Sequence, residues 1–149
     1  MDQIVRRPTG GGIVVHQSDF TYAIVMGKDH PWSNLRSTDL YLRIHQTISV
    51  ALAEMGWPNQ ALPCRATCPD ASIHPANHRE NGDFCFQSPV PGDLIQMGQG
   101  SKLAGAALKR TREGVLWQGS IQFQADSRVA IQDLAPRVAA SLASANDTR

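Results

Sequence analysis

Leu40, Ile44, Ile48, Ala51, Leu52 and Met55 recur at spacings of three and four, and this run constrains the chain most. It predicts one long helix with a single apolar stripe. Ser37 or Thr38 stands where a cap is expected, and Gly56 and Pro58 mark the end. A one-sided helix must lay its stripe on another layer. The runs on either side are β-like. Ile13-Val14-Val15 and Thr21 to Met26 are β-branched and apolar, and residues 3–7 read as a short strand before them. Phe84-Cys85-Phe86 and Asp93 to Met97 read as strands, as do Lys102 to Thr111 and Val115 to Phe123, which Arg112-Glu113-Gly114 joins. The last strand places Val115, Trp117, Ile121 and Phe123 on one face and Gln118, Ser120 and Gln122 on the other. Asp133 can cap a final helix with Pro136 in its first turn and Leu134, Val138 and Leu142 along its apolar edge. Residues 57–83 form a long irregular stretch, and Ser144 to Arg149 a polar, frayed tail. The reading is one α+β domain over residues 1–149, with a largely antiparallel sheet and flanking helices.

At 149 residues, 42% hydrophobic and 18% charged, the chain can fill one core. A net charge of +1 gives no bulk case for nucleic-acid binding. The local clusters Arg6-Arg7 and Lys109-Arg110 with Arg112 can still meet an anion or an acidic protein. No apolar run reaches the roughly 18–20 residues that span a bilayer, and Met1-Asp2-Gln3-Ile4 is not the start of a secretory signal. With three cysteines, an odd number, the expectation is a cytoplasmic protein with free thiols.

Several groups can do chemistry. Arg6-Arg7-Pro8-Thr9-Gly10-Gly11-Gly12 joins two charged forks to a loop of adjacent glycines. Such a loop is either a flexible hairpin or a place where a ligand approaches the backbone. His16 follows it and can line a pocket or serve as a structural histidine. Cys85 sits between two phenylalanines, as a buried small hydrophobe or as a nucleophile beside a base or cation. Lys102 opens a strand carrying Ala104, Gly105, Ala106 and Ala107. It is either a solvated strand-end lysine or a donor to a carbonyl held on that strand, whose small residues leave room for a ligand or for close packing of a helix. Cys64, Cys68, His74 and His78 are zinc-type ligands with a short central gap, and the default reading leaves them as loop residues with no metal.

Two blocks together carry a family resemblance. Arg6-Arg7-Pro8-Thr9-Gly10-Gly11-Gly12-x-Val14-x-His16 with Phe20-Thr21-Tyr22 resembles the Arg-Arg-x-(Ser/Thr)-Gly-Gly-Gly signature of lipoate-protein ligases and protein octanoyltransferases. Asp93-Leu94 through Lys102-Leu103-Ala104-Gly105-Ala106-Ala107, Arg110 and Leu116-Trp117-Gln118-Gly119-Ser120-Ile121 is similar to their lysine block. The resemblance covers roughly residues 4–125. It implies a mixed sheet flanked by helices, as in biotin ligases and class II aminoacyl-tRNA synthetases. It also implies an acyl pocket lined by the stretch from Arg7 through Gly10, Gly11 and Gly12 to His16 and by Gly105 and Ala106, with Lys102 at the acyl carbonyl.

Within the family, LipM-like octanoyltransferases use a cysteine in a Cys-Phe segment, and Cys85-Phe86-Gln87-Ser88-Pro89 occupies that place. This implies Cys85 and Lys102 as catalytic residues, an octanoyl donor on acyl-carrier protein, and no cofactor. The acceptor would be a lipoyl domain of a 2-oxoacid dehydrogenase E2 subunit or the glycine-cleavage H protein. The alternatives are a ligase using ATP and Mg, and a non-catalytic homologue that binds lipoyl domains. Gly12 is ligase-like, since many transferases have arginine there. Family members also carry a segment before the arginine block, so the expectation is an N-terminally shortened domain, with a second chain as one source of that segment.

Overall fold

The computed structural model describes residues 4–16, 19–62, 89–123 and 131–144. Its organising element is α1, Ser37–Glu54. Leu40, Ile44, Ile48, Ala51 and Leu52 form its buried stripe, as the periodicity predicts. Gly56 ends the helix at φ +83°, a conformation glycine adopts without a Cβ clash. The cap position belongs to Arg36, which makes no side-chain cap hydrogen bond, so Ser37 and Thr38 lie inside the helix. Arg110 holds this end instead. Its guanidinium donates to the Ser33 and Leu35 carbonyls and, through Nε, to Ser37 Oγ at 3.3 Å.

The five strands are β1 (Asp19–Gly27), β2 (Asn59–Ala61), β3 (Leu94–Gln96), β4 (Lys102–Thr111) and β5 (Gly114–Gln122). They form one sheet in the order β1-β5-β4-β3-β2. Every pairing among the described residues is antiparallel, in line with the largely antiparallel sheet expected. Because β1 and β2 are opposite edges, α1 between them must cross the whole sheet. Its 18 residues give about 27 Å at ~1.5 Å per residue, longer than the roughly 19 Å across five strands. A second helix, α2 (Ile131–Ser144), packs beside it through Leu134 and Val138. It begins before Asp133, and Pro136 lies within it.

The core lies between this helical layer and one sheet face, with Trp117 and Ile121 of β5 buried against it as the alternation predicts. Two expected strands are absent. Residues 4–7 carry no strand, and only Ile13 of Ile13-Val14-Val15 makes a bridge. The short strand expected at residues 84–86 and the tail from residue 145 lie outside the described residues. β2 went unseen in the sequence because three edge residues carry no periodic signal.

Candidate functional site

Lys102 is the first residue of β4, after a turn in which Gly98 and Gly100 take φ +83° and +67°. Leu94 pairs with Ala104, but the next residue, Ile95, pairs with Lys102, so β4 holds one extra residue there. Leu103 and Ala104 both enter the core, while Lys102 turns over Gly105, where an added Cβ would stand 2.7 Å from its Nζ. The ammonium lies 2.8 Å from Asp93 Oδ2, and the side chains are 2% and 0% exposed. This corrects the solvated strand-end reading.

Asp93 is held on both oxygens. Oδ2 also accepts from the Val90 N–H at 2.7 Å, and Oδ1 accepts from the Tyr41 hydroxyl at 2.5 Å. The Ala106 N–H donates to the Tyr41 oxygen at 3.0 Å, at a point on β4 beyond its pairing with β3. Burial, then the Asp93 charge, pushes the Tyr41 phenol far up, so it stays protonated and donates.

The arginine–glycine loop lies over the neighbouring part of the same sheet face. Gly11, at φ +90°, packs so closely that a Cβ there would be 2.6 Å from Arg7 Nη2 and 3.7 Å from Ala107 Cβ. Arg7 Nη2 donates to the Gly12 carbonyl at 3.2 Å, and Thr9 Oγ1 donates to Gln118 Oε1 at 3.0 Å. Ala107 and Gln118 are register partners, and the next pair on this face is Gly105 with Ser120. The loop and the Lys102–Asp93 pair therefore stand about 7 Å apart along β4, at ~3.4 Å per residue. On that face Lys102 covers Gly105 and the loop covers Ala107, so an ammonium stands beside the glycine loop.

Some expected residues stand elsewhere. Gly10 takes φ +73° and is exposed. Ala106 packs against the core, so Ala107 rather than Ala106 faces the loop. His16 is 56% exposed, its Nδ1 lying 2.6 Å from Asp19 Oδ2. Ser120 Oγ donates to the same oxygen. Burial pushes the Asp19 carboxyl up, but the Ser120 and His16 hydrogen bonds outweigh it and hold it below its ordinary value. Cys85, and the set Cys64, Cys68, His74 and His78, lie outside the described residues. Among the described residues, no three His, Cys, Asp or Glu side chains converge as a metal site.

His45, one turn beyond Tyr41 on α1, is fully buried and its Nδ1 lies 2.7 Å from the Gly92 carbonyl. A carbonyl only accepts, so Nδ1 carries the proton, and Nε2 is left as a buried acceptor with no hydrogen-bond partner among the described residues. Burial lowers the imidazole to about 4. The unfolded chain, near the ordinary 6.5, binds this proton first. Stability should therefore rise with pH between about 4 and 6.5, by about 3 kcal/mol from this group. Urea unfolding across that range should show the slope, and His45→Gln should flatten it.

Sequence reasoning missed Tyr41 and, as a site residue, Asp93. Tyr41 follows Leu40 of the buried stripe and carries no pattern of its own. Asp93 had a usable signal: an acid directly before an apolar strand, nine residues before the lysine.

Helices on one face of an antiparallel sheet, with a glycine loop and a buried lysine on the other, define the biotin and lipoate protein ligase class of fold. The chain superposes on the Aquifex aeolicus biotin protein ligase in complex with biotin and ATP at a TM-score of 0.55 and 11% identity, over 96% of this chain and 60% of that one. A T. acidophilum protein assigned as a lipoate protein ligase, solved with bound lipoic acid, aligns at TM-score 0.54 and 17% identity, over 92% of this chain and 54% of that one. At these identities the likeness concerns the fold.

The model of the lipoyl protein ligase A/B catalytic domain matches residues 3–145, and the chain belongs to that family. Relatives named octanoyltransferase LipM include those of Brevibacillus brevis, 31% identical over 82% of this chain and 42% of theirs, and Carboxydothermus hydrogenoformans, 29% identical over 83% and 41%. The Bacillus subtilis protein of that name is 29% identical over 82% and 42%. The chain thus spans about two fifths of the length of these curated relatives.

Proposed function

We propose that this chain carries out octanoyl transfer in protein lipoylation, with Cys85 as nucleophile and Lys102 at the acyl carbonyl. The observation that supports this most is the run of relatives named octanoyltransferase LipM, together with Cys85-Phe86 just before the Asp93–Lys102 strand pair. In the first step the Cys85 thiolate attacks the carbonyl of an octanoyl thioester on acyl-carrier protein. A new C–S bond forms, the carrier's C–S bond breaks, and the carrier leaves as a thiolate that takes a proton from water. In the second step the amine of a lysine on a lipoyl domain or H protein attacks the acyl-enzyme. The amide C–N bond forms, Cys85 leaves as thiolate, and the amine's surplus proton goes to solvent.

Each tetrahedral intermediate places negative charge on the former carbonyl oxygen, where the Lys102 ammonium donates. Asp93 takes one of the three N–H donors of that ammonium and fixes its direction. The acyl carbonyl would meet Lys102 where it covers Gly105, and the chain would run beside the Gly11 loop, which rests on Ala107. The two thioesters are close in energy, so amide formation drives the sequence forward. No ATP, metal or other cofactor takes part in this reading, and the reaction belongs to the cytoplasm.

Incubation with octanoyl-carrier protein should add one octanoyl mass to the protein, and Cys85→Ser should abolish it. Label that survives Cys85→Ser would overturn the assignment. The third glycine, Gly12, favours a second reading, an ATP-dependent lipoate ligase. That reading predicts lipoate-dependent ATP–pyrophosphate exchange unaffected by Cys85→Ser.

A further inference from the structure

We propose that Tyr41 is a positioning residue for the reaction: through Asp93 it sets where the Lys102 ammonium points. The mechanistic part of this inference rests on the octanoyl-transfer reading above, whereas the positional part rests on geometry alone.

The directions of the hydrogen bonds along this chain are forced. The Ala106 amide can only donate, so the Tyr41 oxygen accepts from it at 3.0 Å. The phenol proton then goes to Asp93 Oδ1 at 2.5 Å. Oδ2 is left to the Lys102 ammonium at 2.8 Å and the Val90 N–H at 2.7 Å. A backbone amide of β4 is thereby linked to the lysine of the same strand by way of α1. Each bond polarises the next in one direction.

The ring adds a second constraint. Gly92, at φ +92°, sits so close that a Cβ there would be 2.8 Å from Tyr41 Cδ1. His45, one helical turn away and edge-on to Tyr41 with ring centroids 4.5 Å apart, holds the Gly92 carbonyl. Two successive turns of α1 thus grip the turn that carries Asp93. Phenylalanine would fill the same space and keep the grip. It would remove the hydroxyl's hold on Oδ1 and leave the Val90 N–H alone to orient the carboxylate toward the lysine.

The test is Tyr41→Phe, read in two ways. The chain has three lysines, Lys28, Lys102 and Lys109, so acetic anhydride labelling of Lys102 can be normalised to the other two in one digest. With native circular dichroism retained, the labelling ratio of Lys102 should rise about fivefold or more. The kcat for octanoyl transfer should fall about tenfold or more, with KM for octanoyl-carrier protein within about twofold of the unsubstituted enzyme, as expected for lost orientation rather than lost binding. An unchanged ratio in a folded variant would overturn the proposal, as would an unchanged kcat in an active enzyme. If the unsubstituted protein transfers no octanoate, the functional reading fails and the labelling ratio still decides the role of Tyr41. Should the variant lose its fold, NMR of the unsubstituted protein decides. The Tyr41 hydroxyl proton must then exchange slowly and show a cross-peak to the Ala106 amide, and its absence would equally overturn the link.

Discussion

Lys102→Met should cost the protein about 3–5 kcal/mol of stability, because it leaves the Asp93 carboxylate buried without its cation. Urea unfolding measures that loss. The same substitution should lower octanoyl transfer by about 10²–10³-fold, the scale of removing one donor to a developing oxyanion. Adding Asp93→Asn separates the two effects. The double variant has no stranded charge and should recover most of the stability, while transfer stays low. Were transfer to return with the stability, Lys102 would be a structural cation only.

Gly105→Ala should reduce transfer about 100-fold with a smaller effect on the fold. Glycine is not required here by a positive φ. What excludes a side chain is the lysine: the new methyl would overlap Lys102 Cε, stand 2.7 Å from Nζ and 3.2 Å from Asp93 Oδ1. Moving a reacting group by about 1 Å can lower a rate about 100-fold. Overpacking typically costs about 1–3 kcal/mol. Gly119→Ala is the matched control on the other face, where the added methyl meets the ring of Tyr22. It should cost similar stability and leave the anhydride labelling of Lys102 unchanged. Equal loss of transfer in both variants would point to general damage of the sheet instead.

These two experiments concern residues that differ in how far the sequence reveals them. Gly105 lies in a run of small residues beside the lysine, and that run is visible in the sequence as a site where something approaches the strand. The structure shows that Lys102 itself fills part of this space, and the bulge in β4 is what turns it there. Ala106 illustrates the limit. A string of small residues does not say which of them face the ligand side, because one extra residue in a strand reverses the alternation. His16 shows another limit. Its position after an apolar run is compatible with a pocket wall, yet Asp19, three residues on, captures it at the surface.

Local patterns determined the elements. The three-and-four spacing of Leu40, Ile44, Ile48, Ala51 and Leu52 specifies α1. The alternation from Val115 to Phe123 identifies β5 and its buried face, and Arg112-Glu113-Gly114 marks the turn before it. The paired arginine–glycine and lysine blocks point to the family to which the chain belongs. Each of these signals is carried by residues close together in the chain, where periodicity and turn chemistry act. The tertiary structure alone decided that Lys102 is a buried ion-pair partner of Asp93, that Tyr41, 52 residues away, donates to the same carboxylate, and that the Gly11 loop comes to rest on Ala107. Burial of a charge is set by what other segments bring to it, and no local pattern carries the free energy of a contact made across the sheet.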